Sequence, residues 1–227
     1  MPYFTLTDIY CLCYTKTKER GIFMLPLKLG CLVMAAGSAT RFGENKLAAR
    51  FGGKMLIERI FEAVPAEKFS SRVVVTQYGE IEALAPHFGF AAVRNNRPEL
   101  GISRTIRLGL EALKDCDAVL FCVADQPLLR RETIAAEVDF FLEHPESIVA
   151  LSSKGKRGNP CLFPARFFPE LMALEGDKGG RSVIARHEDA VLLYEASEEE
   201  LIDVDTVETL DALTRASRPE DRAPSVP

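Results

Sequence analysis

The sequence predicts an α/β domain, a mostly parallel sheet with helices on both faces. Three observations predict it. Short runs rich in Val, Ile and Leu recur along the chain, the composition of strands buried on both sides. Between them fall stretches whose apolar residues lie three and four apart, the spacing of an amphipathic helix. With 227 residues and 47% hydrophobic content, the chain is the size of one domain with a sizeable core. Strands that alternate with helices imply crossover connections and parallel pairing.

The elements follow in order. "MPYFTLTDIYCLCYTKTKERGIF" has neither a helical nor a strand period, nor a basic start followed by an apolar segment. Residues 1–28 are read as a disordered extension or a start placed too early, with Met24 the real one. The first strand is Leu32–Ala36, which stops at Gly37. Leu56, Ile60 and Val64 trace the first helix. Arg72–Thr76 and Ala91–Arg94 are strands. Ile106, Leu110 and Leu113 trace a second helix, with Ser103 placed to cap it. Ala118–Ala124 is a strand, and Ile134, Val138, Phe141 and Leu142 form the stripe of the next helix. Ser147–Leu151 and Val191–Tyr194 are strands, and Thr206–Thr214 is the last helix. Residues 29–216 read as a single domain. The proline-rich, charged residues 217–227 read as a disordered tail.

Composition excludes some functions. The net charge is −5, which argues against a duplex nucleic-acid footprint, so local cations serve a local purpose. No apolar run reaches the roughly 18–20 residues of a membrane span. The six cysteines form no C-x-x-C pair and lack zinc-site spacing, which reads as a reducing, cytoplasmic chain. Cys31 and Cys122 read as small core residues. His87, His144 and His187 fall near helix ends and read as solvated structural residues.

In open α/β sheets, ligands bind beyond the carboxyl ends of the strands. Two stretches put chemistry there. After Ala36, Gly37, Arg41, Gly43 and Lys46 follow within ten residues. Glycines let a backbone turn its N–H groups toward an anion, and the cations suit a di- or triphosphate. A strand-to-helix turn with solvated cations is the plainer alternative. The stretch is not a P-loop, because Glu44 and Asn45 follow Gly43, and it is not G-x-G-x-x-G. The second stretch is "AVLFCVADQPLL", in which Asp125 directly follows an apolar run.

"AAGSATRFGENK" (35–46) resembles the opening signature of the MobA-like nucleotidyltransferases. "ELGISRTIRLGL" (99–110) and "ADQPLL" (124–129) are similar to that family's next two motifs. "GNPCLF" (158–163), "GDKGGR" (176–181) and "DVDTVETL" (203–210) resemble the later motifs of its molybdenum cofactor cytidylyltransferase branch. Ala39, Thr105 and Val207 depart from the usual residues. The resemblance implies a Rossmann-like sheet of the nucleotide-diphospho-sugar transferase type. It also implies transfer of a nucleotidyl group to an acceptor phosphate, with release of pyrophosphate. Such a reaction needs in-line positioning and charge neutralisation rather than an enzyme nucleophile.

The resemblance assigns roles residue by residue. Arg41, Lys46 and Asp125 are the expected catalytic residues. Ala35, Ala36, Gly37, Ser38, Arg41, Gly43, Lys46, Gly101 and Ser103 are the expected nucleotide-binding residues. Asp125 and Asp205 are the expected Mg²⁺ ligands, with Asp203 able to orient or substitute for Asp205. A single ion between them requires carboxylates within about 8 Å. Capping of the neighbouring helices is the alternative for each acid. Gly158, Asn159 and Pro160, with Asp177, Lys178, Gly179, Gly180 and Arg181, are expected to receive the acceptor. Ala-Ala-Gly at 35–37, rather than Ala-Gly-Gly, points to CTP. The implied acceptor is molybdopterin, and the product passes to a recipient molybdoenzyme. The alternatives are a guanylyltransferase on the same cofactor, a sugar- or alcohol-phosphate nucleotidyltransferase, and a non-catalytic partner that binds nucleotide or pterin.

Overall fold

The computed structural model describes residues 26–37 and 45–216. Residues 1–25 and 217–227 of the chain-end expectations, and Ser38, Arg41 and Gly43, lie outside the described residues, whereas residues 26–28, expected to belong to the extension, are ordered against the domain. Strand β1 (Leu29–Ala35) is nearly all buried and lies near the middle of a seven-stranded sheet. The other strands are β4 (Ser71–Thr76), β5 (Ala91–Arg94), β6 (Ala118–Val123), β7 (Ile148–Ser153), β8 (Lys156–Pro164) and β9 (Val191–Glu195). Their order is β5-β4-β1-β6-β8-β7-β9. A separate two-stranded hairpin joins β2 (Arg50–Phe51) to β3 (Lys54–Met55).

The parallel half is the expected one. β1 pairs in parallel with β4 and β6, and β4 with β5. The chain runs outward from β1 through β4 to β5, then returns to the other side of β1 as β6. That reversal opens a crevice at the carboxyl ends of β1 and β6. Met34 pairs with Val123, so the residues after both strands emerge level with each other.

The other half departs from the sequence reading. No strand was expected at Lys156–Pro164, yet it forms β8, which contains "GNPCLF" and runs antiparallel between β6 and β7. Its apolar part is short and follows Lys156–Pro160, so the strand period is hidden. The turn into it explains the reversal: Lys154 and Gly155 both have positive φ, 52° and 74°. Two such residues make the tight hairpin that matches strand twist.

Helices cover both faces. α1 (Leu56–Ala63), α2 (Gly79–Leu84) and α4 (Arg131–Glu143) pack on one core with Cys31, Val33, Val74 and Cys122. α3 (Ile102–Ala112), α5 (Phe168–Met172) and α6 (Gly180–Ile184) pack on the other with Leu32, Val73 and Val75. α3 lies so close to β1 that a methyl group on Gly109 would come within 2.4 Å of the Leu32 side chain. α7 (Val207–Ala216) closes a third cluster, in which Phe51 of the hairpin and Leu56 meet Val204 and Leu210. At the start, Leu27 packs on the core and the Lys28 N–H donates to Asp117 Oδ2 at 2.7 Å. Among the described residues, no helix is long and apolar enough to cross a membrane.

Candidate active site

The residues after β6 and those before α7 are 80 positions apart in sequence, and the backbone stitches them together. The Val204 N–H donates to the Asp125 carbonyl at 2.8 Å. Gln126 Nε2 donates to Asp203 Oδ1 at 3.0 Å and to the Leu201 carbonyl at 3.5 Å. Val204, fully buried, anchors the stretch from below. Neither acid is spent on a cap. Thr206 Oγ1 accepts from the Thr209 N–H at the start of α7, and the residue capping α4 is Arg130.

Lys46 occupies the centre. Its Nζ lies 2.7 Å from Asp125 Oδ2 and 3.2 Å from Asp205 Oδ1. The two carboxylates therefore lie well within the roughly 8 Å that a shared ion allows. Lys46 and Asp125 are mostly buried, at 17% and 19% exposure, whereas Asp205 is open at 64%. Burial works against the Lys46 charge. The hydrogen bonds to Asp125 and Asp205 and their charges outweigh it, and hold Lys46 above the ordinary lysine value. Asp203, exposed on one side, is walled by protein on the other. That burial, with the charges of Asp125 and Asp205, pushes its carboxyl above the usual aspartate value despite the bond from Gln126. Two carboxylates meet one lysine, so the pair carries more negative charge than Lys46 neutralises. Asp125 and Asp205 fit a divalent ion such as Mg²⁺, which takes one or two carboxylates and completes its shell with water and phosphate.

A cavity of about 340 Å³ is lined by one of these acids, Asp203. Its walls include Gln126, Asp203, Gly158, Asn159, Lys156 and Arg157. Pro160 follows in β8 through a cis peptide bond. Gly158 and Asn159, expected at the acceptor, thus share a cavity with Asp203, next to the acid centre.

The remaining expected residues form a second group. Gly101 has φ +81°, and a side chain there would strike the Gly176 backbone at 2.4 Å. The Ser103 N–H donates to the Gly176 carbonyl at 3.1 Å. The Gly101–Ser103 turn and the "GDKGGR" stretch therefore touch. Ser103 does not cap α3. Gly101 holds that position without a side chain, and Ser103 lies one residue inside the helix. Its buried Oγ has no hydrogen-bond partner among the described residues. Gly179 precedes α6, with Asp177, Lys178 and Arg181 exposed around it. Among the described residues, no hydrogen bond or ion pair links Lys178 or Arg181 to the Lys46 centre.

Ala35, Ala36 and Gly37 leave β1 toward the crevice, and side chains at the end of β4 take up their carbonyls. Sequence reasoning assigned nothing to these β4 residues, because only the β1–β4 register brings them there. Gln126 was missed differently: it stands inside "ADQPLL" next to Asp125, and that adjacency was the available signal.

A doubly wound sheet with this crevice, a lysine bound to two acids and a glycine just past the first strand is the build of a nucleotidyltransferase. The chain belongs to the family of the MobA-like NTP transferase domain, which matches residues 31–191. It is 26% identical over 196 residues to the purine catabolism protein PucB of Bacillus subtilis, covering 81% of this chain and 94% of that one. Among solved structures it resembles Rv0371c of Mycobacterium tuberculosis, with TM-score 0.70, 19% identity, and coverage of 83% and 98%. That protein is also known as a manganese complex. A CMP:2-keto-3-deoxy-manno-octonic acid synthetase complexed with CTP superposes with TM-score 0.66 and 12% identity, covering 82% and 97%. Molybdopterin-guanine dinucleotide biosynthesis protein A of Archaeoglobus fulgidus gives TM-score 0.62 and 15% identity, covering 82% and 97%. At these identities the structural likenesses are likenesses of fold.

Proposed function

We propose that the protein transfers CMP from CTP to molybdopterin. A phosphate oxygen of the acceptor forms a bond to the α-phosphorus, and the bond to pyrophosphate breaks. One observation carries the reading: Lys46 Nζ touches both Asp125 and Asp205, and Gln126, the residue after Asp125, shares a cavity with Asp203 and Asn159. Lys46 is suited to meet negative charge on the triphosphate and departing pyrophosphate, in a mostly buried place where such charge is poorly screened. Asp125 and Asp205 would hold Mg²⁺, which supplies charge neutralisation at the phosphate oxygens. Backbone from Ala35 to Gly37, with Gly101 and Ser103, is assigned to the nucleotide, together with Ser38, Arg41 and Gly43. Gly158, Asn159 and Pro160 are assigned to the acceptor, and Asp177 to Arg181 to its phosphate.

The "GNPCLF" and "GDKGGR" stretches and Ala-Ala-Gly at 35–37 favour the cytidylyl branch. The test is pyrophosphate release with molybdopterin and Mg²⁺, comparing kcat/KM for CTP and GTP. A higher value with CTP is expected. A GTP preference would move the assignment to guanylyl transfer, and no release with either nucleotide would overturn the assignment of molybdopterin as the acceptor.

A further inference from the structure

We infer that Thr76–Glu80, at the end of β4 and the start of α2, is a brace that positions both the nucleotide-binding backbone and Lys46. The inference rests on the nucleotide reading above. Three consecutive carbonyls leaving β1 are held by three consecutive side chains. Thr76 Oγ1 donates to the Ala35 carbonyl at 3.1 Å, Gln77 Nε2 to Ala36 at 3.0 Å, and Tyr78 Oη to Gly37 at 2.9 Å. Ala35–Thr76 is the last paired position of the β1–β4 ladder. The side chains thus continue the ladder two residues past the point where the strands end. Thr76 is fully buried, and its Oγ1 also accepts from the Tyr78 N–H at 3.1 Å, which fixes the turn carrying the other two.

The same stretch reaches the residue before Lys46. Glu80 Oε1 accepts from Asn45 Nδ2 at 2.5 Å. Asn45 Oδ1 in turn accepts from the Leu47 N–H at 3.1 Å, capping the short turn Lys46–Ala48 that presents Lys46 to the acids. Four residues of this stretch therefore hold Ala35–Gly37 on one side and the base of Lys46 on the other.

The chemistry follows from the peptide plane. The C=O and N–H of one trans peptide point in opposite directions. Holding the Ala36 carbonyl at Gln77 turns the Gly37 N–H away from Gln77, free to meet an acceptor atom on a ligand. Preorganised N–H groups of this kind suit phosphate oxygens or a nucleobase edge. Gln77, Tyr78 and Glu80 are positioning residues in this account: each acts through Ala36, Gly37 or Asn45.

The test measures CTP binding by titration calorimetry without acceptor, then turnover with CTP, Mg²⁺ and molybdopterin. Variants are Tyr78→Phe, Glu80→Ala and Glu80→Gln, each with its melting temperature. Tyr78→Phe keeps the ring and removes the hydroxyl that holds the Gly37 carbonyl. It should weaken CTP binding about five- to tenfold, with the melting temperature and the KM for molybdopterin unchanged. Glu80→Ala should lower kcat several-fold through Lys46. Glu80→Gln, which retains an Oε1 acceptor for Asn45, should restore most of it. Native CTP affinity in Tyr78→Phe, an equal loss in the KM for molybdopterin, or a Glu80→Gln as poor as Glu80→Ala would overturn the brace alone. A native protein that binds no triphosphate would overturn the nucleotide reading, and the brace with it.

Discussion

Lys46 is held by opposing forces: burial penalises its charge, and two carboxylates stabilise it. A cation kept charged in a mostly buried place is ready to meet charge that grows during reaction, and that interaction acts mainly on kcat. Lys46→Ala should therefore lower kcat by about 10²–10³-fold, with a smaller change in nucleotide KM. A variant with normal kcat and a raised KM would make Lys46 a uniform binding residue. Away from the site, Glu137 on α4 is fully buried, and neither carboxyl oxygen has a partner among the described residues. Burial, with Cys122 nearby, pushes its carboxyl well above the ordinary carboxylate range. The folded chain keeps that proton and the unfolded chain releases it above the ordinary value. The native state then binds more protons, and stability falls as pH rises from that value to the raised one, by about 1.4 kcal/mol per unit at most. Glu137→Met should melt above the native protein, by a margin that widens from pH 5 to pH 8. A constant margin would mean that Glu137 is already ionised in the fold. Lys46, Asp125 and Asp205 were legible in the sequence because each stands in a short motif with a chemical reason. Gln77 and Tyr78 were not, because their partners lie 41 residues away across the β1–β4 register, nor was Glu80, whose partner Asn45 is 35 residues away.

β1, β4 and β6 were legible because burial makes them continuous apolar runs, whereas β5, at the sheet edge, is a short run with no fully buried residue. β8 was not, since Lys156–Pro160 masks the start of its run and only the paired positive φ of Lys154 and Gly155 reveals the hairpin. β2 and β3, two residues each, carry no period at all. α3 was legible from its stripe, and Gly109 stands in its interior. Alanine is normally favoured over glycine in a helix by about 1 kcal/mol. Here the contact with buried Leu32 decides the sign, because the methyl would overlap a side chain with no free space to move into. Gly109→Ala should destabilise the protein by roughly 1–3 kcal/mol, read from urea denaturation. A stabilised variant would show that α3 can lift off β1 at little cost.

The chain reverses direction beside β1, and the crevice this creates places the residues after β1 and β6 level with each other. The last stretch, Leu201–Asp205, then returns to the same crevice and adds its acids. This convergence of three distant segments is the core of the account, and the sequence implied it only through the order of its motifs. The claim tested is that Asp125, Asp205 and Lys46 act as one unit. The most direct measurement is kcat with CTP, Mg²⁺ and molybdopterin for Asp125→Asn, Asp205→Asn and the double variant, each checked for native melting. Asp125→Asn should nearly abolish turnover, Asp205→Asn should act in the same direction less severely because Asp203 is close, and the double variant should be little worse than Asp125→Asn alone. Losses that multiply, or an Asp125→Asn protein that turns over normally, would contradict the account.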